Sequence, residues 1–285
     1  MGAPGGPAGI ALALEGVRYR YGEAGPWVLS DIDLRIAPGE FIAVVGANGS
    51  GKSTLALLLD GLLLPTAGRV RVDGLDTADT AMRWAIRRRV GVVFQNPDNQ
   101  FVAPAVEDDV AFGPENLGLP PSEIGRRVTA ALAMVGMEAY RGADPHALSG
   151  GQRQRVAIAG ALAMDPPCLC LDEVTSLLDP VGRREVRAAV ADVRRSGRTI
   201  VWITHDMEEA AGADRVVVLS GGRVLGVRPP AAVFDDAALL ASAHLEPPVA
   251  VVLSDRLRRS GLALPAGIIE RGELVAALAQ MLPGR

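Results

Sequence analysis

The chain has 285 residues and a mass of 29.7 kDa, of which 49% are apolar and 22% charged; that excludes a wholly disordered chain and allows about two domains of ordinary size. Its net charge of −4 speaks against a basic, nucleic-acid-binding surface spread over the whole molecule. The longest charge-free stretch, residues 1–14, is broken by Gly and Pro, falls short of the roughly 18 apolar residues of a membrane span, and lacks the basic start of a secretory signal, so we expect a cytosolic protein that meets any membrane through a partner.

Residues 1–9 (MGAPGGPAG) read as a flexible start. Alternating Val17, Tyr19 and Tyr21, then Ile32, Leu34 and Ile36, predict antiparallel strands. Continuous apolar runs follow at Phe41–Val45, Val90–Phe94, Cys168–Leu171, Thr199–Ile203 and Val216–Leu219, the pattern of strands buried on both faces of a mostly parallel sheet. Helical patterns fall at about 52–60, 106–117, 122–136, 150–164, 180–196 and 207–212, so the chain reads as α/β with antiparallel strands added to the core. Pro229-Pro230 marks a boundary, after which a tail carries helical patterns near 249–259 and 271–282. No internal repeat is present. Cys168 and Cys170 lie two apart on an apolar strand with no other clustered Cys or His, which reads as core packing rather than a disulfide or a metal site.

Of 29 basic side chains, a single one, Lys52, is lysine. Where a chain otherwise uses Arg, that position calls for a compact ammonium on a thin stem. Lys52 lies in the run Gly46, Ala47, Asn48, Gly49, Ser50, Gly51, Lys52, Ser53, Thr54, which follows a strand and opens a Leu-rich helix. Glycines there let consecutive N–H groups turn inward as an anion nest, and the helix adds its positive end. In a G-x-x-x-x-G-K-[ST] loop the lysine reaches the β- and γ-phosphates and the hydroxyl, here Ser53, ligates Mg²⁺. The strand Cys168–Leu171 runs into Asp172-Glu173 at the end of a sheet where ligands bind; Asp172 is placed to hold Mg²⁺, directly or through water, and Glu173 to take a proton from an attacking water. Ser149-Gly150-Gly151-Gln152 has the form of a capping box. Its two glycines cost helix stability, which close approach of the backbone to an anion would explain. Two anion sites on one chain suggest a nucleotide clamped between two chains.

Together the Gly46–Ser53 loop, Leu148–Gln152 and Asp172-Glu173 resemble the ATP-binding cassette (ABC) ATPases over about residues 12–228. The resemblance implies a P-loop NTPase core over 10–228 with an antiparallel β subdomain, a helical subdomain at about 96–165 and a C-terminal helical extension over 229–285. By the same resemblance ATP and Mg²⁺ are the cofactors, Ser149, Gly150, Gly151 and Gln152 bind ATP, and of these Ser149 and Gly151 contact the γ-phosphate of ATP held by the partner's cradle. Gln95 senses Mg²⁺ and water, Asp179 lies in a loop crossing the dimer seam, His205 touches the γ-phosphate, and Tyr21 stacks on adenine, with Tyr19 as its rival. Asp179-Pro180 is also a good helix N-cap in its own right. Val174 and Leu177 depart from the residues common in that family.

Residues 90–125 hold six carboxylates (Asp98, Glu107, Asp108, Asp109, Glu115 and Glu123) and no Lys or Arg, which suggests a surface that meets basic groups. The wording of Gln95–Phe101 and Val106–Asn116 resembles the ATPases of energy-coupling factor (ECF) transporters. That implies a second ATPase subunit, a transmembrane coupling subunit whose arginine-bearing helices dock on this region, and a substrate-binding membrane subunit. The complex would import a vitamin or transition-metal ion, with this chain at the cytoplasmic face of the membrane and no nucleic-acid partner. The tail, with Pro247-Pro248 and helices through Leu253, Leu257 and Leu278, resembles the same group. Alternatives are a cobalt or nickel importer ATPase, a soluble ABC protein acting on nucleic acid or the ribosome, and a P-loop GTPase or kinase, for which Leu148–Gln152 would have no purpose.

Overall fold

The computed structural model describes residues 7–281. Strands β1 (Leu12–Arg20) and β2 (Trp27–Ile36) lead into β3 (Phe41–Val45) and helix α1 (Lys52–Leu59). Next come β4 (Ala67–Val72), β5 (Leu75–Asp76), α2 (Arg83–Arg87) and β6 (Val90–Val93). Helices α3 (Val106–Asn116), α4 (Pro121–Met134) and α5 (Gly150–Ala163) separate β6 from β7 (Cys168–Asp172). Then follow α6 (Pro180–Arg195), β8 (Thr199–Ile203), α7 (Met207–Ala211) and the hairpin β9 (Arg215–Ser220) and β10 (Arg223–Arg228). Helices α8 (Pro230–Phe234), α9 (Ala237–Ser242), α10 (Val249–Arg259) and α11 (Arg271–Met281) complete the chain.

Two sheets result. One is antiparallel, in the order β2-β1-β4-β5, with Leu14 opposite Leu34 and Val17 opposite Ile32. The other runs β10-β9-β3-β8-β7-β6, parallel except for the β10 edge. Alternation of side chains across each buried strand divides the core in two. Phe41, Ala43, Val45, Leu169, Leu171, Ile200 and Trp202 face the helices of α3–α9. Ile42, Val44, Cys168, Cys170, Val201 and Ile203 face α1 and the antiparallel sheet. The Cys-x-Cys pair is therefore two same-face neighbours packed in this second core; both thiols are buried and free, and burial pushes Cys168 up to about 12. Such thiols are inert packing groups. Among the described residues no cluster of three or more His, Cys, Asp or Glu is arranged to hold a metal, and no helix is long and apolar enough to cross a membrane.

Helix α6 shows how pattern becomes packing: Val186, Ala189, Val190 and Val193, spaced i, i+3, i+4, i+7, are its buried face. Strands β4, β5 and β10 and helices α2, α8 and α9 are additions to the elements expected from sequence; each is short or weakly patterned and takes its conformation from neighbours. The flexible start expected at 1–9 needs correction at its end. Gly9 donates its N–H to Gly197 O at 3.1 Å, and a Cβ on it would lie 2.2 Å from Gly39 N, so the chain is anchored there; residues 1–6 lie outside the described residues. Helices α10 and α11 share a small cluster of their own (Ala250, Leu264, Ile268 and Leu274), while Val251 joins the main core.

Candidate active site

The parallel sheet order places four strand ends side by side: β3, β8, β7 and β6. Each delivers one part of the site from its carboxyl end, where open α/β sheets bind ligands. From β3 comes the loop Gly46–Gly51. Gly49 and Gly51 have φ of 80° and 103°, conformations open to glycine, and a Cβ on Gly46 would lie 2.1 Å from Leu219 O. Lys52 opens α1 and is only 5% exposed. Its Nζ donates to Gly46 O at 2.9 Å and Ala47 O at 3.1 Å and lies 3.5 Å from Glu173 Oε1. The ammonium thus sits curled inside its own loop, over the hollow a phosphate would fill.

From β7 come Asp172 and Glu173. Burial raises the pKa of Asp172 and the neighbouring Glu173 adds to this, while a hydrogen bond from Ser53 and the charge of Lys52 oppose it. Its Oδ1 is buried and has no hydrogen-bond partner. A buried carboxylate oxygen left unpaired beside a hydroxyl is a hard oxygen donor set that fits Mg²⁺. Glu173 has φ of 49°, a left-handed conformation worth about 1–2 kcal/mol of strain. The turn is held by Glu173 N donating to Ile203 O at 2.9 Å and by the Ser176 hydroxyl donating to Glu173 O at 2.9 Å. It directs the carboxylate back to Lys52 on one side and to His205 Nδ1, 3.4 Å away, on the other.

From β8 comes His205, exposed at the start of the turn into α7. Asp206 caps that helix by accepting from Glu208 N at 2.8 Å. Glu209, three residues further on, does not share the capping. It is buried and accepts from the Thr204 hydroxyl at 2.6 Å; burial raises its pKa. From β6 comes Gln95, whose Nε2 donates to Ser176 Oγ at 3.0 Å. Ser176 is the residue sequence reasoning passed over: its hydroxyl joins Gln95 to the backbone of Glu173, and its only trace in the sequence was membership of the Ser176–Pro180 loop.

A hollow of about 380 Å³ is lined by Asn48, Gly49, Gly51–Thr54, Gln95 and Glu173. Asn48, Gln95 and Glu173 also border a larger cleft of about 780 Å³ that reaches His205 and the C-terminal extension. At the outer end, Tyr21 is 53% exposed and its hydroxyl lies 3.2 Å from Thr54 Oγ1, whereas Tyr19 is 8% exposed and packs edge-on against it. Tyr21 is thus the ring free to cover a base.

Ser149, Gly150, Gly151, Gln152 and Asp179 line neither space. Ser149 and Gln152 form the full capping box of α5: Gln152 N donates to Ser149 Oγ at 3.3 Å and Ser149 N to Gln152 Oε1 at 2.9 Å. The box does not reach the N–H groups of Gly150 and Gly151. Gly151 also has a purely structural reason to be glycine: a Cβ there would lie 2.7 Å from Gly182 Cα of α6. Asp179 caps α6 by accepting from Gly182 N at 2.7 Å.

The ABC transporter family model matches residues 29–176. The chain is 56% identical over 278 residues to the energy-coupling factor transporter ATP-binding protein EcfA1 of Symbiobacterium thermophilum, covering 95% of this chain and 97% of that protein. This chain belongs to the ABC transporter family, among its energy-coupling factor ATP-binding proteins. EcfA of Methanosarcina acetivorans is 48% identical over 254 residues, covering 89% of this chain and 92% of that protein. Among solved structures, cbiO1 from Clostridium perfringens, described as part of the ABC transporter complex cbiONQ, superposes with a TM-score of 0.75 at 37% identity over 88% of this chain and 96% of that one. A dimeric ATP-binding cassette in a post-hydrolysis state with ADP and Pi gives 0.69 at 32% identity over 77% of this chain and 98% of that one. The ABC ATPase reading and its α/β P-loop fold therefore hold, and the GTPase and kinase alternatives fall.

The acidic segment needs correction. Asp98 pairs with Arg153 at 3.1 Å and Glu107 with Arg141 at 2.6 Å. Arg126 and Arg127, each 2.7 Å from Glu123 Oε1, hold that carboxyl down at about 2. Asp109 accepts from Val102 N at 2.7 Å and Ala103 N at 3.2 Å. Cations missing from the segment itself arrive from α4, α5 and the loop before it and pair three of its six carboxylates, while Asp109 accepts backbone N–H groups. What the helical layer offers instead is a groove of about 430 Å³ lined by Leu62, Trp84, Val102, Phe112 and Leu117, with Asp60 on its wall. Trp84 is 70% exposed there.

Proposed function

We propose that this ATPase is the motor subunit of an ECF-type importer, working as one of two cassettes that close over ATP and Mg²⁺ at their seam. The observation that carries this reading is the division of the site. The cradle of Lys52, Asp172, Glu173 and His205 is assembled, yet the chain's own Ser149–Gln152 tip lies apart from it. A second cassette, identical or related, supplies that tip, and this chain's tip serves the partner in turn.

In the filled site Lys52 exchanges its backbone carbonyls for the β- and γ-phosphates. The Ser53 hydroxyl and Asp172, with Gln95 near them, are the residues that would hold Mg²⁺, which would supply positive charge to offset that of the phosphate oxygens. Glu173 accepts the proton of the attacking water, His205 holds the terminal phosphate oxygen, and Tyr21 covers the adenine. The Gly150 and Gly151 N–H groups, left free by the capping box, face the γ-phosphate across the seam.

Closure is passed on through the groove beside α3, where an apolar helix of a transmembrane coupling subunit docks on Trp84 and Phe112. Asp60 supports a cationic residue in that helix: burial raises its pKa to about 6 and its Oδ1 has no partner. The chain is then peripheral at the cytoplasmic face, and a separate membrane subunit carries the vitamin or metal ion. The test is sedimentation of the full chain as Glu173→Gln with ATP. A dimer should form that is lost on adding Ser149→Arg, while ATP binding to the monomer persists. Full turnover by a monomer carrying Ser149→Arg would refute the divided site.

A further inference from the structure

Five non-glycine residues have positive φ among the described residues, and three of them are aspartates, which tolerate it. The other two are Glu173 and His244, and both line the same cleft. His244 ends helix α9 in a Schellman turn: its N–H donates to Ala241 O at 3.1 Å, and Leu245 N donates to Leu240 O at 2.9 Å. The residue between those bonds has φ of 54°. Glycine is the residue this position favours, because a Cβ there costs roughly 1 kcal/mol. Leu245 packs on the main core and Pro248 is buried, so the strap is fixed at both sides of the exposed Glu246. The exposed imidazole of His244 is thereby held on the wall of a cleft whose other wall is Gly46–Asn48, Glu173 and His205.

We propose that His244 is a second imidazole of the nucleotide site, meeting the terminal phosphate of ATP from the side of the C-terminal extension. The proposal rests on the ATPase reading above and assigns that extension a direct part in holding the triphosphate. A ring donor beside a phosphate makes a charge-assisted hydrogen bond. Glu208 and Glu246 on the same cleft oppose the anion, so the gain is local to the ring and Glu246 works against it.

The test compares ATP and ADP affinity of the full chain in the Glu173→Gln background, with His244 intact and as His244→Gly. Glycine suits the turn, so this variant folds and its Tm is equal or higher. ATP should bind on the order of fivefold more weakly while ADP changes by less than about twofold, because only ATP carries the phosphate in question. Glu246→Gln should move ATP affinity the opposite way. Equal changes for both nucleotides, or none, would overturn the proposal. So would weaker ATP-driven dimerisation with an unchanged ATP-to-ADP ratio in the monomer, which would give the strap to the partner chain. If the background chain bound neither nucleotide, the ATPase reading itself would fail instead.

Discussion

The phosphate loop and the acidic segment of residues 90–125 both stood out in the sequence, the loop by a motif and the segment by a charge count, and they fared differently. The loop's chemistry lies in its backbone: Gly49 and Gly51 set the turn with positive φ, and Lys52 follows within the same eight residues. Nothing distant has to arrive for the nest to form. The acidic segment's chemistry lies in side chains, and Arg126, Arg127, Arg141 and Arg153 fold onto it from beyond its end. A local motif keeps its meaning on folding, whereas a charge count holds only until its counterions arrive.

Lys52→Arg presses hardest on the first half of that contrast. It keeps the charge but forces a guanidinium into a space closed by the Gly46 and Ala47 carbonyls, and ATP affinity should fall by at least about 100-fold in a direct binding titration. Unchanged affinity would mean that the loop's charge alone matters. Glu173→Gln should bind ATP yet turn over at least about 10²-fold more slowly, measured as phosphate release. Near-normal release would place the base elsewhere.

On the other half, Trp84→Ala with Phe112→Ala should sharply reduce co-purification with a membrane coupling subunit while Asp108→Arg changes it little. The reverse result would restore the acidic face as the docking surface. The smallest effect belongs to Asp60. Its folded pKa of about 6 lies above the ordinary 3.8, so the folded state binds the proton more tightly and loses stability as pH rises through that window. Asp60→Asn should therefore stabilise the protein above pH 6, by about 1–3 kcal/mol in urea unfolding, with the gain fading toward pH 4. A gain equal at both ends would show that the carboxyl is not titrating in the groove.

Much of the fold was legible because its pattern is periodic. Buried parallel strands announce themselves as apolar runs, and α6 by its small apolar residues at i, i+3, i+4 and i+7. Strand β5 and the helices α2, α8 and α9 carry too few residues for a period to form, and β4 and β10 lack the continuous apolar run of the buried strands. Within the site, Gln95, Asp172, Glu173 and His205 each stand at the end of a readable strand. Ser176 and Glu209 do not: the hydroxyl of one matters only because Gln95 comes within 3.0 Å, and the carboxylate of the other is turned inward by Thr204.

By itself, then, the sequence determined the cradle, the strand ends that face it and the N-caps of α5 and α6, since each is a conformation written in consecutive residues. Tertiary structure alone decided that Arg141 and Arg153 would pair with Glu107 and Asp98, that Gly151 must clear Gly182, and that His244 would share a cleft with Glu173 from 71 positions further along the chain. Those are meetings of residues distant in sequence, and they are fixed by the order in which the strands of the sheet lie side by side.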